Sequence, residues 1–123
     1  MAKVLVSDDE EVYRLCISAW LTRDCHEVRT ASGGHEAIDV GTVFEPDVLI
    51  VDWMLRDGYH GLEVAERLRK LKPNLLTILI TGFPSDALRR ESLDARVFRF
   101  IEKPFQMHDL AAVVQDAVKT MQD

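Results

Sequence analysis

Only two of the 123 residues are cysteine, Cys16 and Cys25, and they form no CxxC pair. A disulfide framework and a thiolate zinc site are thereby excluded as organising devices, which leaves reduced, packed thiols as the expectation. The four histidines, His26, His35, His60 and His108, fall on separate segments without helix or hairpin ligand spacing, so no histidine metal site is expected. Long apolar runs are missing too. Nothing approaches the roughly 20 residues that a membrane-spanning helix needs, and Met1-Ala2-Lys3-Val4 leads into a strand pattern rather than a signal peptide. A cytoplasmic protein with no membrane partner is expected. Basic stripes are also lacking. With 15 Lys and Arg against 21 Asp and Glu, the net charge of -6 repels nucleic-acid phosphates, so output is expected through another protein or domain. No GxGxxG or Walker sequence offers a phosphate a cradle of backbone amides.

What is present is an ordinary globular mixture, 47% hydrophobic and 29% charged. At this length a single domain is expected, burying roughly two-thirds of its unfolded surface. Short β-branched runs alternate with longer segments of helical period, the pattern of βα units around a parallel sheet with helices on both faces. Strands are expected at Val4–Val6, Glu27–Thr30, Val48–Val51, Thr77–Ile80 and Val97–Ile101. The first, third and fourth are nearly unbroken apolar runs, as strands covered on both faces should be. Helices are expected at Glu10–Arg23, Gly34–Phe44, Leu62–Leu71, Asp86–Leu93 and Met107–Met121, with Gly and Pro breakers between them.

Polar residues follow the apolar strands: Asp8-Asp9-Glu10 after the first, Asp52 after the third, Thr81 after the fourth and Lys103-Pro104 after the fifth. In a doubly wound sheet the carboxyl ends of the strands converge where the strand order reverses, and ligands bind there. Asp8, Asp9 and Asp52 should therefore share one cleft, with Thr81 and Lys103 at its rim. Three crowded carboxylates repel unless a cation neutralises them, and oxygen-only ligands favour magnesium. An aspartate carboxylate can attack phosphorus, while a lysine and a metal stabilise the transferring charge. Asp52 is the candidate nucleophile, Thr81 a hydroxyl donor to a phosphoryl oxygen and Lys103 the positive charge. Taken singly, each has a duller reading as helix cap, turn residue or solvated surface charge. Their joint appearance at the ends of different strands weighs against it.

Over nearly its whole length the chain resembles the receiver domain of bacterial response regulators. The matching segments are Val4-Leu5-Val6-Ser7-Asp8-Asp9-Glu10, Pro46-Asp47-Val48-Leu49-Ile50-Val51-Asp52, Ile78-Leu79-Ile80-Thr81-Gly82 and Phe100-Ile101-Glu102-Lys103-Pro104-Phe105. The resemblance implies a flavodoxin-like strand order 2-1-3-4-5 and one receiver domain over residues 1–123. It implies magnesium held by Asp9, Asp52 and the backbone carbonyl of Met54, with Asp8 acting through water. It implies a phosphoacceptor at Asp52 that takes its phosphoryl group from a sensor histidine kinase or phosphotransfer protein and later loses it by its own hydrolysis, a signalling domain rather than an enzyme. A switch follows in which the Thr81 hydroxyl turns to the phosphoryl group and Phe100 swings inward. That reshapes the face of the fourth helix, fifth strand and fifth helix for a downstream protein, an output domain or a homodimer. Lys103-Pro104 resembles a pair whose peptide bond is often cis.

The sequence departs from the family after Asp52. Arg56 stands where a proline is usual and Gly61 arrives one residue late, so the loop Trp53–His60 is expected to be longer by one. Arg56, Tyr59 and His60 are thereby candidate partner contacts. A haloacid-dehalogenase-like phosphatase would need a second Asp at position 54, which is Met54. A flavodoxin-like cofactor module would find its phosphate repelled by Asp8-Asp9. A receiver-like interaction module without phosphorylation would have no need of the intact set Asp8, Asp9, Asp52, Thr81 and Lys103.

Overall fold

A computed structural model describes residues 1–122. Strands and helices alternate as β1 (Lys3–Ser7), α1 (Glu11–Arg23), β2 (Glu27–Ala31), α2 (Gly34–Phe44), β3 (Val48–Asp52), α3 (Gly61–Leu71), β4 (Leu76–Thr81), α4 (Asp86–Asp94), β5 (Arg99–Glu102) and α5 (Met107–Gln122). All strand pairs are parallel, and the spatial order is β2-β1-β3-β4-β5. The fold is thus the doubly wound, flavodoxin-like arrangement. Among the described residues no helix is long and apolar enough to cross a membrane.

The period-two alternation of strand side chains feeds two hydrophobic layers. Val4, Val6, Ile50, Ile78 and Ile80 point to one face, where Ile17 and Leu21 of α1 and Leu110, Val114 and Ala117 of α5 cover them. Leu5, Leu49, Val51 and Leu79 point to the other, against Ala37 of α2, Val64 and Leu68 of α3 and Leu88 of α4. Every residue of β3 is buried, so its backbone is fixed from both faces. From β1 the chain runs outward to β2 and then returns across β1 to β3. The reversal opens a crevice between the carboxyl ends of β1 and β3.

Three helix ends use a left-handed residue other than glycine, Cys25, Glu45 and Arg96, and two of them close in a double hydrogen bond. After α1, Cys25 takes φ 70, and its N–H and that of His26 donate back to the Thr22 and Leu21 carbonyls. After α4, Arg96 takes φ 57, with the same double closure onto Leu93 and Ser92. Both are Schellman turns that use a left-handed non-glycine residue. They correct two expectations. Cys25 is lifted out of the core, and Cys16 lies on the outer face of α1, so both thiols are free and exposed rather than packed. Val97 serves the turn, so β5 begins at Arg99 rather than at Val97.

Candidate functional site

The crevice at the carboxyl end of the sheet is built from four strand ends and one loop. β1 delivers Asp8, which has no exposed surface, and β3 delivers Asp52, which is 8% exposed. Register fixes their proximity, because β1 and β3 pair directly and run parallel. Asp8, Asp9 and Asp52 each offer a carboxylate oxygen, and these atoms all lie within 4.8 Å of one another. Lys103 reaches in from beyond β5, and its Nζ donates to Asp52 Oδ2 at 2.7 Å and to Glu10 Oε2 at 3.0 Å. The Lys103–Pro104 peptide bond is cis, and the Lys103 N–H donates to the Thr81 carbonyl at 2.7 Å.

One ammonium does not satisfy three carboxylates. Asp8 Oδ1 accepts the Glu10 N–H at 2.8 Å. Asp8 Oδ2 pairs with Lys103 Nζ at 2.9 Å, but the poor alignment leaves this buried oxygen without a well-directed hydrogen bond. Burial pushes the Asp8 carboxyl above its ordinary value, with the Asp52 charge adding to the effect, and the Glu10 amide and Lys103 only partly oppose it. Burial likewise pushes Asp52 up, with the Asp9 charge adding, against the opposing pull of Lys103 and the Met54 N–H. Lys103 moves up as well. Its own burial would lower it, but the bonds to Asp52, Asp8 and Glu10 prevail and hold it protonated. The cleft therefore carries surplus negative charge on crowded carboxylate oxygens, a donor set suited to a hard cation.

The loop after β3 completes one wall. Leu55 N–H to the Tyr59 carbonyl and Gly61 N–H to the Trp53 carbonyl bracket the Met54–His60 bridge. Among the described residues no donor engages the Met54 carbonyl, which leaves it available as an oxygen ligand, while the Met54 side chain is 53% exposed. Thr81, buried at the end of β4, accepts the Phe83 N–H on Oγ1 at 3.0 Å and keeps its own hydroxyl proton to donate. Phe100 is half-buried, with the Arg89 guanidinium 5.0 Å over its ring.

The other loop residues divide. Arg56 is exposed and lies with Nε 3.2 Å from Asp9 Oδ2. Tyr59 is instead half-buried, set against Gly34 so closely that a Cβ on Gly34 would come within 2.3 Å of it. His60 is stacked on Trp53 at 4.8 Å. Of the three candidate contacts, Arg56 is the exposed one, whereas Tyr59 and His60 are half-buried. Sequence reasoning missed Glu10 as a second acceptor for Lys103, although its position directly after Asp9 was a signal. It also missed Asp57, whose carboxylate accepts the Gly34 and His35 amides at 3.1 and 2.9 Å and caps α2 from another loop.

A doubly wound sheet with an acidic cleft and a strand-end lysine defines a class before it defines a protein. The model of the response regulator receiver domain matches residues 4–115, and the chain belongs to that family. It is a receiver domain, the phosphoacceptor module of two-component signalling. Among curated proteins, it is 30% identical over 115 residues to the response regulator protein VraR of Staphylococcus saprophyticus, covering 92% of this chain and 54% of that protein. The VraR of Staphylococcus aureus is 32% identical over the same span. The chain thus spans about half the length of these relatives. Among solved structures, a response regulator receiver domain protein from Clostridium thermocellum superposes with a TM-score of 0.88 at 27% identity, covering 99% of this chain and 98% of that one. A CheY-like receiver domain protein from Methanospirillum hungatei gives 0.93 at 24% identity, covering 99% and 97%, and shows the shared fold.

Proposed function

We propose that the chain, residues 1–123, is one receiver domain that works as a magnesium-dependent phosphoacceptor switch in the cytoplasm, with Asp52 as the residue modified. The observation that carries the reading is the cluster of Asp8, Asp9 and Asp52, whose carboxylate oxygens lie within 4.8 Å of one another while Asp8 and Asp52 share the single charge of Lys103. Asp9, Asp52 and the Met54 carbonyl would hold magnesium, with Asp8 acting through water. Bound there, the ion would neutralise the developing charge on the phosphoryl oxygens.

The chain's own residues supply the rest. A carboxylate oxygen of Asp52 attacks phosphorus on a phosphohistidine of a sensor kinase or phosphotransfer protein. The O–P bond forms as the donor's N–P bond breaks, and the electron pair leaves with the imidazole nitrogen. Lys103, held protonated, moves from Asp52 Oδ2 to a phosphoryl oxygen and remains tethered by Glu10. Thr81 donates its hydroxyl to another phosphoryl oxygen. That contact exists only in the phosphorylated state, so it biases the equilibrium of α4, β5 and α5 toward the form in which Phe100 turns inward. The altered face then engages a downstream protein, an output domain or a second copy. Water hydrolyses the aspartyl phosphate and resets the switch.

Incubation with magnesium chloride and acetyl phosphate, followed by intact-mass measurement, tests the proposal. The parent protein gains one phosphoryl group, whereas the Asp52→Asn variant and the parent with a chelator gain none. Equal modification of Asp52→Asn, or an unmodified parent, would contradict the assignment.

A further inference from the structure

The loop after β3 carries a cation for which phosphoryl transfer to Asp52 has no use. The Arg56 side chain is 79% exposed, yet its Nε stands 3.2 Å from Asp9 Oδ2, on a carboxylate whose side chain is only 18% exposed. The residues around Arg56 are anchored. Leu55 is buried, and Asp57 is fixed by the two α2 amides it accepts. Gly58 turns the chain at φ 87, a region that glycine enters without strain. Tyr59 is seated against Gly34. A backbone clamped on both sides presents one exposed side chain over the acidic cleft.

A guanidinium in that place needs the same lone pairs on Asp9 that a divalent cation needs, and the two positive charges repel. Its departure is easy, because an exposed ion pair is weak. A cleft of about 730 Å³ beside it is also lined by Glu11 and Glu36, so a displaced guanidinium finds other carboxylates within the same opening.

From this geometry we infer that Arg56 is a tethered counter-ion of the cleft. It neutralises Asp9 while the cation is absent and swings aside when magnesium binds, and so it raises the magnesium concentration at which Asp52 becomes competent. The inference rests on the magnesium site proposed above and names a residue that tunes it without touching the phosphoryl group.

Titration calorimetry of the full chain with magnesium chloride alone, at neutral pH and low ionic strength, tests it in the parent, Arg56→Ala and Arg56→Lys. Arg56→Ala should bind magnesium about two- to five-fold more tightly, the range that an exposed pair implies. Arg56→Lys should stay near the parent, because the charge is retained. The gain should shrink at roughly 0.5 M salt, where exposed charges are screened over a few ångströms. Equal or weaker binding by Arg56→Ala, beside measurable binding by the parent, overturns the counter-ion and leaves the magnesium site standing. A gain that persists undiminished at high salt also overturns it, since that marks a change in loop shape rather than in charge. Absence of binding in all three proteins removes the counter-ion together with the site.

Discussion

The two sides of the sheet are built to different standards. β1, β3 and β4 are apolar runs buried on both faces, and β3 has no residue outside the core. β5 has no buried residue among its four, and α4 buries only Leu88 and Ser92 of its nine. Phe83 and Leu93, on the approach to α4 and near its end, are 86% and 77% exposed. Under the proposed function the difference corresponds to separate tasks. Phosphoryl chemistry needs carboxylates held within a fraction of an ångström, which rigid central strands provide. A switch needs an element of low local stability that a single new hydrogen bond can bias, and sparse packing provides that.

The largest expected effect tests the contrast in packing. Ile50→Ala, in the middle of β3, should cost about 3–4 kcal/mol in urea unfolding, whereas Leu93→Ala on α4 should stay within about 0.5 kcal/mol. Comparable losses in both would break the comparison.

An intermediate effect concerns the charge trapped in the rigid half. A carboxyl whose folded pKa is raised is stabilising in its protonated form, and that stability is lost as pH rises through the folded value. Asp52, raised by burial and by Asp9, therefore destabilises the metal-free protein at pH 7. Asp52→Asn should raise Tm there by a few degrees. The advantage should narrow as pH falls and the parent protonates Asp52. Magnesium, which binds the folded form, should raise the Tm of the parent more than that of the variant. A metal-free Asp52→Asn that melts below the parent at pH 7 would contradict the account of the cleft.

The smallest expected effect lies at the boundary between the halves. Met54 and Phe83 are exposed apolar side chains two residues beyond Asp52 and Thr81. Neither offers a strong hydrogen bond to position an attacking water, and positioning is what accelerates phosphoryl hydrolysis. After removal of the phosphodonor, the modified parent should decay a few-fold more slowly than Met54→Asn or Phe83→Glu. Decay of the parent as fast as that of both variants would remove these positions from the account.

The rigid half was also the legible half. Unbroken apolar runs identify β1, β3 and β4, and Asp8, Asp52 and Thr81 stand out in the pattern as polar residues at or just past the ends of those runs. Lys103 was readable because a proline follows it at the end of an apolar strand. The remainder depended on tertiary placement. Cys25 and Arg96 end helices in a conformation that usually announces itself through glycine, so neither the exposure of the thiol nor the late start of β5 was visible. Asp57 caps a helix that begins 23 residues earlier, and Arg56 meets Asp9 across two loops. Such contacts have no local signal, because their partners are set by how the loops lie on the finished sheet.

Amide hydrogen exchange, with and without magnesium and phosphodonor, tests the division of labour most directly. The account predicts slow exchange in β1, β3 and β4 in both states, with altered protection concentrated in residues 83–107. Unchanged exchange across 83–107 on full modification of Asp52, or a change carried mainly by β1 and β3, would contradict it.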